Sequence, residues 1–237
     1  MNYCVCYNPG MKLHRLILSF IVVTFALQIL SGCARTPSGA SRINPREVTF
    51  QITFDGSIND NYYYYVAIDV NGGGEWPTPV FPGLVTATGW VTGSVTHFVE
   101  YHLRQYTVYR VTNVQPLTVE PIGSPLRPTV PAIGGKTLRF TLDLDQIGAT
   151  GDSIDINFIT VDQPLSNTRM LDALGPLGTE FIQLDIRTDK TATNWDGLSR
   201  LEPSNDVLDQ NQRYVPSQPN PQSAPLDITD WAITTDV

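Results

Sequence analysis

Cysteine is scarce in this 237-residue chain and confined to its start, where Cys4, Cys6 and Cys33 are the only three. No disulfide can brace anything after residue 33, and no thiol is at hand there as a nucleophile. Histidine is as sparse, with His14, His97 and His102. The last two are five residues apart, which on one strand points them to opposite faces and argues against a shared metal. No Gly-x-Ser-x-Gly elbow is present. The run Gly72-Gly73-Gly74 is followed by Glu75-Trp76-Pro77 instead of a helix start with lysine, so it reads as a loop that uses positive φ and not as a phosphate cradle. Helical periodicity is nearly missing as well: residues 166–174 and, more weakly, 199–208 suggest at most a turn or two. No internal repeat is found.

What the N-terminus does have is an apolar run from Leu16 to Leu30 behind Lys12, His14 and Arg15, closed by Leu30-Ser31-Gly32-Cys33. This segment resembles a bacterial lipoprotein signal peptide, in which the cysteine thiol is acylated and the chain is cut just before it. An uncleaved membrane anchor is the alternative, but the run is short of the roughly 20 apolar residues a spanning helix needs, and Thr24 and Gln28 interrupt it. The expected organisation is an over-extended start at 1–10, a signal peptide at 11–32, a lipidated Cys33 with a flexible polar tether to 45, and one β domain over 46–237. The resemblance implies a lipid-anchored protein of the cell envelope, its domain facing the periplasm or the exterior. Ala34 after the cysteine points to the outer membrane under the enteric sorting scheme. Several acyl chains hold a protein durably where one does so only marginally.

Loss of residues 1–32 removes Lys12 and Arg15 and no acid, so 15 basic side chains become 13 against 23 acidic ones and the net charge moves from −8 to −10. Such a surface is repelled by phosphate backbones, which excludes nucleic acid as a partner.

From Arg46 onward the pattern takes the period of two of half-buried strands. Val48, Phe50, Ile52 and Phe54 alternate with polar residues, and Tyr62, Tyr64, Val66, Ile68 and Val70 alternate with Tyr63, Tyr65, Ala67, Asp69 and Asn71, giving a second strand with aromatic groups on both faces. Residues 95–113 read as one long segment with Val95, Val99, Tyr101, Leu103, Tyr109 and Val111 inward and Glu100, His102, Arg104 and Arg110 outward. Leu138 to Leu144, Ile154 to Phe158, Ile182 to Ile186 and the stretch 226–234 with Ile228, Trp231 and Ile233 complete the set. The 18 prolines concentrate in 77–82, 116–131 and 216–225, which read as connections, and the polar stretch 189–225 reads as a surface excursion. An all-β, antiparallel sandwich of about eight to ten strands, immunoglobulin- or jelly-roll-like, is expected.

Residues 136–148 and 151–162, an amphipathic strand ending at Ile-Gly and a second beginning after Gly-Asp, resemble the paired strands of family-nine-type carbohydrate-binding modules and DOMON-type sandwiches. The strand 62–71 is similar to an early strand of the same group. That resemblance implies a binding module for carbohydrate.

Candidate chemistry is modest. Asp143 and Asp145 share one strand face, but with Arg139 beside them a solvated polar face is the simpler account than a glycosidase pair. Calcium is the better metal candidate, since it takes oxygen ligands: Asp55, Asn59 and Asp60 occupy one loop, and Asp69 and Asn71 precede the triple glycine. The same residues are ordinary turn formers, which is the simpler reading. Trp76, Trp90 and Trp195 sit in Gly-, Pro- and Asn-rich connections and, with Tyr63 and Tyr65, are the candidates for a sugar-stacking surface. The alternative is that loop tryptophans fold back to plug the ends of the sandwich, each burying area worth about 2–3 kcal/mol. Trp231 is expected in the core. These features favour a non-catalytic module that binds a glycan or a partner protein, with a structural or assembly lipoprotein as the alternative and a hydrolase behind both.

Overall fold

The computed structural model describes residues 46–72, 75–80, 89–165, 170–174, 180–193 and 224–237. Cys33, the expected signal peptide at 11–32, the expected tether to 45, Trp195 and residues 199–208 lie outside them. Fourteen strands, numbered in chain order, make up the secondary structure of the described residues, and no helix is found among them. The excess over the expected eight to ten comes from short pieces of two to four residues at sheet edges and in a separate two-stranded hairpin.

One sheet contains β1 (Glu47–Phe54), β8 (Leu126–Thr129), β9 (Thr137–Asp143), β13 (Lys190–Thr193) and β14 (Ile228–Asp236), in the order β13-β14-β1-β9-β8. The other contains β2 (Tyr63–Asp69), β5 (His97–His102), β6 (Gln105–Val114), β7 (Leu117–Gly123), β10 (Ser153–Val161), β11 (Leu171–Ala173) and β12 (Ile182–Asp185). Its order is β11-β10-β2-β5-β6-β7, with β12 also pairing β10. Every pairing is antiparallel. The alternation of β1 buries Val48, Phe50, Ile52 and Phe54 against Tyr64, Val66 and Ile68 of β2 and Ile154, Ile156 and Phe158 of β10. Phe50 stacks on Phe140 at 5.1 Å within its own sheet and meets Phe158 of the other sheet edge-on at 6.4 Å. Trp231 and Ile233 join this core.

The second sheet is apolar on both faces. Tyr65, Ala67, Phe98, Ile159 and Val161 point away from the first core into a separate cluster closed by Trp90, Val91 and Val95. This cover belongs to the excursion between β2 and β5, which carries the small hairpin β3 (Thr78–Pro79) and β4 (Val91–Thr92). The aromatic residues on both faces of β2 are thus explained, because each face meets its own core.

Five local expectations are corrected. Residues 95–113 are not one strand but the hairpin β5–β6, which turns at Leu103 and Arg104 with φ of 48° and 64°. The reversal moves Tyr109 and Val111 to the outer cluster. A two-residue hairpin favours Asn-Gly, and its absence hid the turn. The stretch 116–131 holds two edge strands, β7 and β8, one at the margin of each sheet, so Pro121 and Pro128 lie within strands where a missing N–H is tolerated. The region 189–225 begins as edge strand β13, and its residues 194–223 lie outside the described set. Within 166–174 the described part is strand β11, because Leu171 and Ala173 pack into the outer cluster. Asp145 lies past the end of β9, where it pairs with Arg46 at 3.1 Å while its N–H donates to Asp143 Oδ1.

Candidate functional site

Trp90 and Tyr65 are 4% and 3% exposed and lie face to face at 3.6 Å, with Phe98 edge-on to Trp90 at 5.1 Å. Their ring faces are occupied by one another. Tyr63 is half-buried, stacked on His102 at 3.8 Å and parallel to Tyr65 at 6.2 Å. Nδ1 of His102 lies 3.1 Å from the Tyr62 carbonyl, which can only accept, so Nδ1 carries a proton and donates to it.

Trp76 is placed differently. The segment that carries it is tied to the sheet by fully buried Asn157, whose Nδ2 donates to the Pro77 carbonyl at 2.9 Å, and Ser94 secures the return by donating to Asp69 Oδ2 at 2.7 Å. Trp76 is half-buried and stacked on Phe181, centroids 4.5 Å apart at 14°. It borders a cleft of about 340 Å³ lined, among the described residues, by Glu75, Thr78, Thr92 and Gly93. Gly93 has φ of 77°, and a Cβ there would collide with the Trp76 carbonyl, so the close approach of β4 to Trp76 requires glycine. A ring backed by a second ring, beside a carboxylate and two hydroxyls, is suited to a polar ligand that has one apolar face. The volume falls at the small end of ligand pockets.

The five residues expected for calcium lie at opposite ends of β2. Asn59 Oδ1 accepts from the Asn61 N–H at 3.0 Å, and Asp60 accepts from the Tyr101 hydroxyl at 2.7 Å and Arg104 at 3.2 Å. Asp69 accepts from the Asn71 N–H at 3.0 Å and from Ser94. Asp55 is exposed and its carbonyl accepts from Lys136. Among the described residues no group of three His, Cys, Asp or Glu side chains is placed to hold a metal ion.

Trp76, Trp90, Tyr63 and Tyr65 therefore do not share one surface: three belong to the aromatic stack and Trp76 to the cleft. Phe181, Thr78, Thr92 and Gly93 were not singled out in sequence. Phe181 breaks the alternation just before Ile182, an outward aromatic ahead of a strand, and was the one available signal. No protein family, curated protein or solved structure matches this chain.

Proposed function

We propose that this chain is a non-catalytic binding protein of the cell envelope, anchored through lipid on Cys33, and that the Trp76 cleft takes a glycan. The stacking of Trp76 on Phe181 at the rim of that cleft carries this reading, since a platform held by a second ring loses little freedom on binding. Glu75, Thr78 and Thr92 supply acceptors and donors for sugar hydroxyls. The resemblance of Leu30-Ser31-Gly32-Cys33 to a lipobox supports attachment to a membrane, the outer one under the enteric scheme, and among the described residues no helix is long and apolar enough to cross one. Chromatography of the purified chain on immobilised envelope polysaccharides tests the reading. Retention is expected, and Trp76→Ala is expected to abolish it while lowering the melting temperature by only about 2–4 °C. No retention on any polysaccharide refutes it.

A second reading, docking onto an envelope complex, draws on three exposed aliphatic residues. Leu103, Ile133 and Leu165 are 59%, 98% and 82% exposed. All follow or precede strand ends at the Phe54 end of β1, opposite the end where Glu47 enters the sheet. Here Ile133→Asp is expected to release a co-purifying envelope protein while leaving polysaccharide retention intact.

A further inference from the structure

We propose a second binding site on the outer face of the second sheet, centred on Glu100, for the ammonium group of a small organic cation. Glu100 lies between Tyr65 of β2 and Thr107 of β6 in direct register, with Phe98 and His102 two residues along its own strand and Tyr63 and Tyr109 on the diagonals. None of the positions bordering it on this face is Lys or Arg. Elsewhere the carboxylates of Glu47, Asp60, Asp145 and Asp185 each pair with an arginine. Glu100 pairs with none among the described residues, and its one side-chain bond is with the Tyr65 hydroxyl. It is half-buried, and burial raises its pKa. The Tyr65 hydroxyl and His102 offset that burial only in part, and a carboxylate drawn partly out of water with no lysine or arginine beside it is complemented by a cation.

The surroundings select the kind of cation. One carboxylate does not satisfy a hard metal ion, which takes six or more oxygen ligands. The ring faces are already used, Tyr63 against His102, Tyr65 against Trp90 and Phe98 against Tyr109, so a quaternary ammonium finds no open aromatic face. The groups that remain are acceptors, the carboxylate and the phenol oxygens around it. A primary ammonium brings three N–H donors to that set. The acidic chain, −8 overall, draws cations toward it. This site is separate from the Trp76 cleft, and neither depends on the other.

The test is a titration of the full chain with propylammonium chloride, followed by the ring resonances of Tyr63, Tyr65 and Tyr109, against 1-propanol and tetramethylammonium chloride at matched ionic strength. Saturable shifts with propylammonium are expected, with a Kd of about 1–10 mM. Glu100→Gln should bind at least about tenfold more weakly, a loss of about 1.4 kcal/mol. Thr107→Lys, which sets an ammonium opposite Glu100, should block the titration and serves if Glu100→Gln fails to fold. The proposal is overturned by no saturable shift with propylammonium, by an equal response to propanol or tetramethylammonium, or by unchanged binding in a folded variant.

Discussion

The hydroxyl of Tyr101 donates to Asp60 Oδ1 at 2.7 Å, joining the core of the second sheet to the loop between β1 and β2. The other oxygen of Asp60 accepts from Arg104 at 3.2 Å, and its carbonyl accepts from the Leu103 N–H at 2.8 Å. One residue thus clamps the β5–β6 turn from outside the hairpin. Tyr101 is only 1% exposed as a residue, and its hydroxyl reaches the protein surface through this bond to Asp60. Asp60→Ala is expected to destabilise by about 2–3 kcal/mol, and Tyr101→Phe by about 1–1.5 kcal/mol. In urea denaturation the double variant should fall short of the sum, because both changes remove the same bond; full additivity would show that the bond contributes nothing.

The turn that Asp60 clamps holds Leu103 and Arg104 in the left-handed region, where side chains with a Cβ are disfavoured. Leu103 is 59% exposed and gives up little packing. Leu103→Asn should therefore stabilise the protein by about 0.5–1 kcal/mol, seen as a higher melting temperature. A lower one would mean that the Leu103 side chain packs more than its exposure indicates.

Trp76 and Trp90 should respond oppositely in two assays. Trp90→Ala empties a buried site against Tyr65 and Phe98 and is expected to cost about 3–5 kcal/mol of stability. Trp76→Ala should cost much less, about 1 kcal/mol, because the ring is half-exposed and stacked on a single neighbour. Only the Trp76 change should remove polysaccharide retention without unfolding. Equal stability losses would argue that both rings are plugs.

Acid should destabilise the fold through His97. It is 7% exposed, its Nε2 has no hydrogen-bond partner, and burial together with Arg110 pushes its pKa down to about 4. The unfolded chain takes up a proton near pH 6.5 that the folded chain refuses until about pH 4. Stability is thus complete above pH 6.5 and falls between 6.5 and 4, by up to about 3 kcal/mol. Glu100, whose pKa is raised, acts in the opposite sense as the pH falls. Comparing the pH slopes of the wild type and His97→Gln by urea denaturation isolates the histidine. Parallel slopes would refute the assignment.

Several of these relationships were readable in the chain. The alternation of Phe50 with Gln51 or Leu184 with Asp185 depends only on the two-residue period of a strand, and each such residue lies on the expected side. The tyrosines on both faces of β2 were visible as well, but that both faces are covered, which takes Tyr65 out of the expected sugar-stacking surface, came only with the second core. The turn at Leu103 was invisible because its geometry is imposed from outside, by Asp60. The register that surrounds Glu100 with Tyr65 and Thr107 joins residues from three strands, and no local pattern reports it.

Composition and periodicity alone determined that residues 46–237 form a disulfide-free, all-β domain, because backbone pleat and side-chain polarity act residue by residue. Tertiary structure decided which sheet each strand joins, since that depends on which apolar faces meet. It also decided the fate of the loop aromatics: Trp90 became a plug because Tyr65 and Phe98 offered it a dry surface, and Trp76 stayed at a cleft because Asn157, Phe181 and Gly93 hold it there.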